Sequence, residues 1–561
     1  MYFNNRYFDN NLFKNRLAAT ICAATLMMVA PASAYTNFNN HQNSLGITLK
    51  STSSASPWIT VNGMHPNTDA LVTAISNAAV HGLNPDSYQL SSLEQEIEIF
   101  VEKSEHLGVY ISADSATQRA SLEKRLYKAF SNYAADLGRG AVDAQKTQRN
   151  LYRSAPKVDV AALIEQLDTS KSTVSDLLTA AAPSSSYYKN LVKHMGVLLE
   201  ERDSGKVRTR VAHHEELKVG DSHSSMIDLK ARLKEAGYLD TYFRLSPYFG
   251  SDIEQALIDV QVRNGLSPTG EFNEDTAAVL NATVDDEIAE VAMNLERWRW
   301  MPRDMGDRHI MVNIPSYNLT MMNGDQRIVD MAVVVGSKKH KTPVFSKGAQ
   351  FVEVAPTWTV PASITNNELI PIERKRPGYL ESERMDFFQW SNGKLIPVPR
   401  SQVTAADFEK PVFPYVLRQR AGDDNALGKI KILMPNKHAV YMHDTQSKNL
   451  FAKTDRAYSH GCIRLSDPFR LGSLLLQLDG KSPETTEELL AKKKTTRVRL
   501  KDKTPTHISY FTAWVDDDGK LHKRKDVYKY NKSLLAGLKA NNTLLSTLKA
   551  RPITVLAEQA E

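Results

Sequence analysis

Two short stretches decide the fold of the C-terminal half: KIKILMPNKHAVYMHDT at residues 429–445 and SHGCIRLSDPF at residues 459–469. The first alternates apolar and polar residues on both sides of Pro435-Asn436, a pattern that predicts a β-hairpin with a turn at that pair. Because successive side chains in a strand alternate, Tyr441 and His443 point to the same face of the second hairpin strand. His443 is therefore expected at a strand end, beside the chain that returns to the second stretch.

The second stretch places a thiol in a glycine-containing turn. Cysteine catalysis needs a thiolate, a base and fixed donors for an oxyanion; a free thiol has a pKa near ~8.5, which an imidazolium or backbone dipoles lower. His443 is the better base, because a strand-end side chain is held rigidly, and His460 would orient the loop or contact substrate. Gly461 lets the backbone turn so that amides around Cys462 point at the oxyanion. Asp467-Pro468 then predicts the start of a helix.

Two other interpretations of these residues remain open. Ser459 to Cys462 also fits an ordinary tight turn. A zinc site from His443, His460 and Cys462 is conceivable, but the spacing matches no common structural zinc pattern and a fourth ligand is not evident.

The N-terminus has the pattern of a secretory signal peptide at residues 1–34. Its basic residues are Arg6, Lys14 and Arg16, an apolar segment follows from Leu17 to Ala30, and Ala32-Ser33-Ala34 matches a cleavage site. An uncleaved anchor is the alternative, although the apolar run is shorter than the ~20 residues that span a bilayer. The chain has 2 cysteines, Cys22 and Cys462. Cleavage removes Cys22 and leaves one thiol, without an internal partner, in an oxidising compartment. A lone secreted cysteine suggests either an intermolecular disulfide or a free reactive thiol, and an inert buried cysteine is the third alternative.

Composition is that of a globular protein. The 561 residues predict three or four folding units, with 42% hydrophobic and 24% charged residues. The net charge of +6, from 70 Lys+Arg and 64 Asp+Glu, is too small and too dispersed to indicate nucleic-acid binding. It is compatible with a carboxylate-rich polymer as substrate.

The periodicity of the chain predicts an α+β multidomain protein. Residues 35–66 form a flexible leader, and three- and four-residue spacing then predicts helices. The period switches to two from residue 310. The predicted units are a helical scaffold at 67–216, a three-helix module at 217–282, a linking helix at 283–309, a mostly β domain at 310–500 with an insertion at 361–422, a C-terminal scaffold segment at 501–540 and a tail at 541–561.

His443, the fifteen residues that follow it, and Ser459-His460-Gly461-Cys462 resemble the signature of the L,D-transpeptidase catalytic domain. VVVGSKKHKTPVF at 333–345, with its Thr-Pro pair, is similar to another family segment. APTWTVPASI at 355–364 is also similar, with Ala355 where Asn is more usual, and Arg464 fits the family. Residues 217–282 resemble a three-helix peptidoglycan-binding module. The order of these parts is similar to that of large Gram-negative members of the family.

The resemblance implies Cys462 as nucleophile and His443 as general base. It implies that the main-chain carbonyl of Asp444 orients His443, although the carboxylate of Asp444 leaves a second possibility. The supporting and substrate-contacting residues would be Tyr441, Asp444, Ser459, His460, Gly461 and Arg464. No metal or organic cofactor is expected.

The implied reaction joins two peptidoglycan stem peptides. Cys462 attacks a tetrapeptide stem, expels terminal D-alanine and forms a thioester; the side-chain amine of a diamino acid in a second stem then makes a 3→3 cross-link. The insertion at 361–422 is the candidate lid. A periplasmic location, other peptidoglycan synthases as partners, no transmembrane segment after signal cleavage, and acylation of Cys462 by carbapenems follow from the same resemblance.

Rival functions keep part of this assignment. The thioester could end in water, which gives an L,D-carboxypeptidase or endopeptidase. A non-catalytic peptidoglycan-binding protein would use the module at 217–282 while the catalytic domain is inert, although intact His443 and Cys462 argue against it. A papain-like protease would have its cysteine before its histidine, and here His443 comes first.

Overall fold

The computed structural model describes residues 56–60, 63–107, 113–212 and 217–541. The predicted signal peptide, Cys22, most of the predicted leader and all but the first residue of the predicted tail lie outside the described residues.

The N-terminal region is helical, as its spacing predicts. Its described helices are α1 (Pro66–Ser76), α2 (Leu90–Leu107), α3 (Ala113–Arg139), α4 (Ala144–Thr147), α5 (Val160–Asp168), α6 (Val174–Ala181) and α7 (Ser186–Asp203), with 3-10 turns at Ala78–His81 and Pro85–Tyr88. The apolar faces of α1, α2, α3, α5 and α6 enclose one core. The apolar face of α7 instead packs into the core of the C-terminal half. The core of the helical region extends into the predicted leader: Trp58 is fully buried, and its ring lies 5.4 Å from that of Tyr127 on α3. The prediction of a flexible leader up to residue 66 was therefore wrong for this part, where strands β1 (Ile59–Thr60) and β2 (Gly63–Met64) pair.

A second, separate core holds the three-helix module. Its helices are α8 (Ser225–Glu235), α9 (Ser251–Arg263) and α10 (Glu274–Leu280). Met226, Leu229 and Leu233 bury one face of α8 against Ile253 and Leu257 of α9. The apolar spacing in the sequence thus marks the faces that meet.

Helix α11 (Val284–Arg299) begins at a capping box, in which Thr283 and Asp286 exchange side-chain-to-backbone hydrogen bonds. It was predicted as a linking helix, yet ten of its residues are buried. Glu296 and Arg299 form an ion pair with fully buried side chains, and Arg299 also donates to the carbonyl of His81. The helix therefore joins the N-terminal region to the rest of the chain through its core, which a solvent-exposed linker could not do.

The C-terminal half is built on a large mixed sheet. Its strands are β3 (Arg308–Asn313), β4 (Asn318–Asn323), β5 (Gln326–Gly336), β6 (Ser346–Val354), β11 (Ile430–Leu433), β12 (Met442–His443), β13 (Ala457–Ser459), β14 (Ile463–Leu465) and β15 (Thr496–Ser509). The order is β13-β5-β14-β12-β11-β6-β15-β3-β4, and β5 also pairs with β4, so the sheet closes on itself. The predicted hairpin is present: Lys431 lies opposite His443 across β11 and β12.

The insertion has a sheet and a core of its own. Strands β7 (Trp358–Thr359), β8 (Met385–Ser391), β9 (Lys394–Val398) and β10 (Val416–Gln419) pair in the order β7-β10-β8-β9. Short helices α12 (Ala362–Ile364), α13 (Ile370–Lys375), α14 (Tyr379–Ser382) and α15 (Ala405–Glu409), a π-helical turn at Thr365–Leu369 and a 3-10 turn at Arg400–Gln402 complete it. Phe387, Phe408 and Phe413 pack at its centre. The insertion leaves the main sheet at Ala355, whose φ of 49° is a conformation that asparagine tolerates better than alanine.

The C-terminal segment completes the main sheet. Residues 504–507 of β15 pair with β6 and residues 506–509 pair with β3, so the predicted boundary between 500 and 501 falls inside a strand and was wrong. A hairpin-like pair, β16 (Ala513–Val515) and β17 (Leu521–Lys523), follows. The remaining helices are α16 (Pro468–Leu478), capped by Asp467 as predicted, α17 (Thr485–Ala491) and α18 (Asn531–Ala540), with a 3-10 turn at Lys448–Ala452. Within the described residues, no helix has the length and apolar character needed to cross a bilayer.

We expect a chain that ends at Leu500 to lose the folded C-terminal half, because it lacks the strand segment that joins β6 to β3. Circular dichroism and size-exclusion chromatography should show loss of a cooperative unfolding transition and aggregation. A chain that ends at Asn541 keeps α18 and serves as the matched control. Cooperative unfolding of both chains would contradict this assignment.

Candidate active site

The closed sheet brings four of the predicted residues onto one face. Strands β12 and β14 are parallel, with Met442 beside Ile463 and His443 beside Arg464. Met442 and Ile463 are fully buried in the core, so Tyr441, His443, Cys462 and Arg464 lie on the opposite face. The amide of Ile463 donates to the carbonyl of Tyr441 at 3.1 Å, which sets Tyr441 beside Cys462.

His443 has a defined tautomer. Its Nδ1 lies 2.5 Å from the main-chain oxygen of Asp444. A carbonyl can only accept, so Nδ1 carries the proton and Nε2 is left with a free lone pair. The sequence left open whether the carbonyl or the carboxylate of Asp444 orients His443. In the structure the carbonyl contacts the imidazole, and the carboxylate has other partners. It accepts hydrogen bonds from the amides of Lys429 and Thr445 and from the ammonium of Lys448.

The thiol of Cys462 is half-buried and free. Its sulfur lies 3.9 Å from the carbonyl of Ala439. Burial raises its pKa, and this effect is partly offset by hydrogen bonds from the amide and hydroxyl of Tyr441 and by the charges of Lys431 and Arg464. Tyr441 is thus the side chain that donates directly to the sulfur.

Burial, with the positive charges of Arg464 and Lys431, lowers the pKa of His443 to about 3, against the hydrogen bond to Asp444. The sequence predicted that an imidazolium lowers the pKa of the thiol. In the structure the pKa of His443 is lowered and that of Cys462 is raised, which favours a neutral imidazole and a protonated thiol. Burial disfavours the charged form of both groups, and the nearby cations further disfavour the imidazolium.

Ser459 and Gly461 shape the turn that carries the thiol. The hydroxyl of Ser459 donates to the carbonyl of Cys462 at 2.5 Å and accepts the amide of Gly461 at 3.1 Å. Gly461 has a φ of 111°, a conformation that other residues rarely adopt. These two residues therefore build the turn that carries the thiol.

Thr342 ties this turn to the end of β5. Its hydroxyl donates to the carbonyl of Gly461 at 2.9 Å and accepts the amide of Gly336 at 2.8 Å. The hydroxyl of Tyr528, from the C-terminal segment, donates to the carbonyl of Gly336 at 2.6 Å and accepts the amide of Thr342 at 3.0 Å. From the helical region, the amide side chain of Asn150 donates to the carbonyl of Thr342 at 2.9 Å. Segments far apart in sequence thus converge on one residue behind the thiol.

The insertion reaches the site at two points. Nε2 of His460 lies 2.7 Å from a carboxylate oxygen of Glu368 in the π-helical turn, and the ring of His460 stacks on that of His340 at 4.2 Å. Trp358, at the start of β7, lies close enough to Tyr441 to act on the pKa of its hydroxyl, which burial raises. His460 therefore connects the thiol turn to the insertion.

A row of charged residues crosses the sheet at the level of His443. In register from strand to strand, Arg497 lies opposite Glu353, Glu353 opposite Lys431, Lys431 opposite His443 and His443 beside Arg464. Alternation within β11 could have indicated Lys431 from the sequence. The sequence carries no signal for Tyr528, Asn150, Glu368 or Trp358, since their contribution depends on long-range packing.

Comparison with protein-family models assigns this region. A model described as the L,D-transpeptidase catalytic domain matches residues 307–482, which hold the thiol, His443 and every member of the charged row except Arg497. The chain carries an L,D-transpeptidase catalytic domain. A scaffold-domain model matches residues 51–195, and a model of a proposed peptidoglycan-binding domain matches residues 222–280. The predicted three-helix peptidoglycan-binding module is thereby confirmed.

Individual relatives are more distant. A Haemophilus influenzae protein whose own assignment is a proposed L,D-transpeptidase is 33% identical over 247 residues, which cover 44% of this chain and 48% of that protein. The chain thus spans about half the length of this curated relative. Among solved structures, an L,D-transpeptidase from Mycobacterium smegmatis is 13% identical, covering 36% of this chain and 58% of that one, with a TM-score of 0.17. One from Stackebrandtia nassauensis is 11% identical, covering 54% and 97%, with a TM-score of 0.20.

Across the described residues, no group of three or more His, Cys, Asp or Glu side chains is placed to hold a metal ion.

Gly336→Ala should displace the thiol turn of the transpeptidase domain. A Cβ at this position would lie 2.1 Å from the carbonyl oxygen of His340, 2.6 Å from the amide of Thr342 and 3.0 Å from the Cα of Gly461, all of them main-chain atoms. Misplacement of a reacting group by ~1 Å can cost about 10²-fold in rate, so alkylation of Cys462 by iodoacetamide, followed by peptide mass mapping, should slow at least about 10-fold. Gly196→Ala, with no atom within 4 Å of its added Cβ, is the control. An unchanged rate in Gly336→Ala would contradict the proposed packing.

The pH dependence of the same alkylation tests the protonation states. Because the pKa of Cys462 is raised and that of His443 is lowered to about 3, the thiolate fraction is small at neutral pH and grows about tenfold per pH unit. The logarithm of the rate should rise with a slope near one through neutral pH, in the wild type and in His443→Gln alike. A plateau already reached in mildly acidic solution, and lost in His443→Gln, would instead reveal a thiolate–imidazolium pair.

Proposed function

We propose that this protein cross-links peptidoglycan by L,D-transpeptidation, with Cys462 as nucleophile and His443 as general base. The observation that carries the proposal is the neutral His443. Its Nδ1 proton is held by the carbonyl of Asp444, its Nε2 is free to accept a proton, and it lies on the same sheet face as the thiol. The domain match to residues 307–482 supplies the reaction class.

In the first half-reaction His443 takes the proton of Cys462 as the sulfur attacks the carbonyl carbon of the third residue of a tetrapeptide stem. The bond from that carbon to the terminal D-alanine nitrogen breaks, the nitrogen receives the proton from His443, and a thioester remains. Proton transfer that accompanies attack suits a thiol whose pKa is raised. The hydroxyl and amide of Tyr441, which donate to the sulfur, stabilise the developing charge.

In the second half-reaction the side-chain amine of a diamino acid in another stem attacks the thioester. His443 accepts the amine proton, the carbon–sulfur bond breaks, and the sulfur is reprotonated. The product is a 3→3 cross-link. Water as acceptor would turn the same intermediate into a tripeptide, so exclusion of water decides between transfer and hydrolysis.

The insertion is the proposed lid over this intermediate. Its contacts with the site, from Glu368 to His460 and from Trp358 to Tyr441, are made by residues at its first turn and first strand. The ion pair with His460 is half-exposed and contributes little in free energy. A contact of this strength suits a segment that opens to admit stem peptides and closes over the thioester.

The peptidoglycan-binding domain at 222–280 supports peptidoglycan as the substrate and, with the catalytic domain, an extracellular or periplasmic location. We propose the periplasm, with export by the signal peptide predicted at residues 1–34. Carbapenem β-lactams, which present a strained carbonyl, should acylate Cys462.

Mass spectrometry of the full chain incubated with a disaccharide-tetrapeptide tests the proposal. We expect loss of D-alanine and a cross-linked dimer. Cys462→Ala should abolish both, and His443→Gln should lower the rate by about 10²–10⁴, the usual contribution of a general base. Tyr458→Phe, an exposed residue on neighbouring β13, is the matched control and should keep full activity.

Two other outcomes would contradict the proposal. Tripeptide without dimer, at every acceptor concentration, would identify a hydrolase that shares the nucleophile. Neither reaction nor acyl-enzyme would leave a peptidoglycan-binding protein with an inert catalytic domain.

A further inference from the structure

The charged row consists of Arg497, Glu353, Lys431, His443 and Arg464, and its members are direct cross-strand neighbours. Residues paired across adjacent strands project on the same face of a sheet. The five side chains therefore stand side by side on the face that holds the thiol. Like charges in direct register destabilise a sheet unless they are compensated, so the partners of each member matter.

The negative charge in the row is already compensated. Glu353 has a buried side chain, and both Nε and a terminal nitrogen of Arg497 bind one of its oxygens, at 2.7 and 2.6 Å. This two-contact ion pair takes up the charge of Glu353. The charge of Glu353 acts to raise the pKa of Lys431, against the effect of burial. The Lys431 ammonium does not, however, lie within ion-pair distance of the Glu353 carboxylate.

Lys431 and Arg464 flank His443 from its two sides. Both are half-buried, and burial lowers the pKa of each. In the parts of the chain that the structure describes, neither cation has a carboxylate within 4 Å. Lys431 rests 4.1 Å above the ring of Tyr441, and the guanidinium of Arg464 has no hydrogen-bond acceptor among these same residues.

Two cations withdrawn from water without an anion cost stability, because charge burial is unfavourable unless a counter-charge compensates it. They also keep His443 from becoming protonated. A fold that retains such a pair beside a nucleophile is suited to bind an anionic group that arrives with the substrate. Arg464 offers a planar set of donors and Lys431 a point charge, a combination that fits a carboxylate.

We propose that Lys431 and Arg464 form a subsite for the terminal carboxylate of the donor peptide, the carboxylate of the residue that is expelled. The assignment rests on the proposed function. In a peptide the terminal carboxylate carbon is three covalent bonds from the carbonyl carbon that the thiol attacks. A carboxylate held beside His443 therefore brings that carbonyl to Cys462, which directly precedes the neighbouring strand.

The subsite selects peptides by the distance between their terminal carboxylate and the carbonyl carbon that the thiol attacks. A donor with one more residue would place its carboxylate too far from the thiol, and an internal peptide bond would have none. Lys431 and Arg464 thus select the last peptide bond of the stem, whereas Cys462 and His443 act on whichever carbonyl is presented.

Binding to Cys462→Ala tests the subsite without turnover. We would titrate this variant, followed by NMR, with a tetrapeptide stem and with its C-terminal amide. A charge-assisted hydrogen bond predicts that the acid binds about 10- to 100-fold more tightly. In Cys462→Ala/Lys431→Met the preference should collapse to within a few-fold, through weaker binding of the acid and unchanged binding of the amide. Lys431→Arg in the same background should restore it.

Lys429→Met is the matched control, because Lys429 lies two residues before Lys431, directly before that strand begins, and is paired with Asp423; it should keep the preference. Equal binding of acid and amide by Cys462→Ala, or an unchanged preference after Lys431→Met, would overturn the subsite. A preference that behaves as expected in a protein that forms neither dimer nor tripeptide would leave the subsite standing and remove the proposed function. Equal turnover of the acid and the amide would remove the subsite and leave the proposed function standing.

Discussion

The hydroxyl of Thr342 is the point on which the site depends. It connects the carbonyl of Gly461 to the amide of Gly336. It therefore joins the thiol turn to the end of β5, a strand of 11 residues in the main sheet. A turn with a φ of 111° at Gly461 has no regular hydrogen-bond pattern to hold it. The hydroxyl of Ser459 holds the turn from within, and Thr342, supported by Tyr528 and Asn150, fixes the turn against β5.

That dependence explains why the functional unit is larger than the segment with catalytic motifs. Asn150 belongs to the helical region and Tyr528 to the C-terminal segment, and both bond to Thr342 or its neighbour Gly336. The β15 strand runs through the apparent boundary at residue 500. The regions that look like supports in the sequence therefore fix the position of the Cys462 thiol and remove conformational freedom from the turn that carries it.

The sequence was informative where the signal is local. Apolar spacing located the helices of the three-helix module, Asp467-Pro468 located the start of α16, and alternation with Pro435-Asn436 located the hairpin. Periodicity reports only which face is buried, so it could not show that Trp58 enters a core, that α11 is central, or that β15 continues past residue 500. Each of these depends on residues distant in the chain.

Electrostatics was the part of the site that motifs described least well. A cysteine and a histidine in sequence suggest an ion pair, but protonation follows from burial and from every charge nearby. Lys431 and Arg464 become neighbours of His443 only through strand register, and together with burial they hold the imidazole neutral. A neutral base next to a protonated thiol is unreactive until a carbonyl arrives. If the substrate's own carboxylate settles between the two cations, it relieves part of the penalty on the imidazolium that forms when His443 takes the proton. Substrate binding and activation of the base would then be the same electrostatic event.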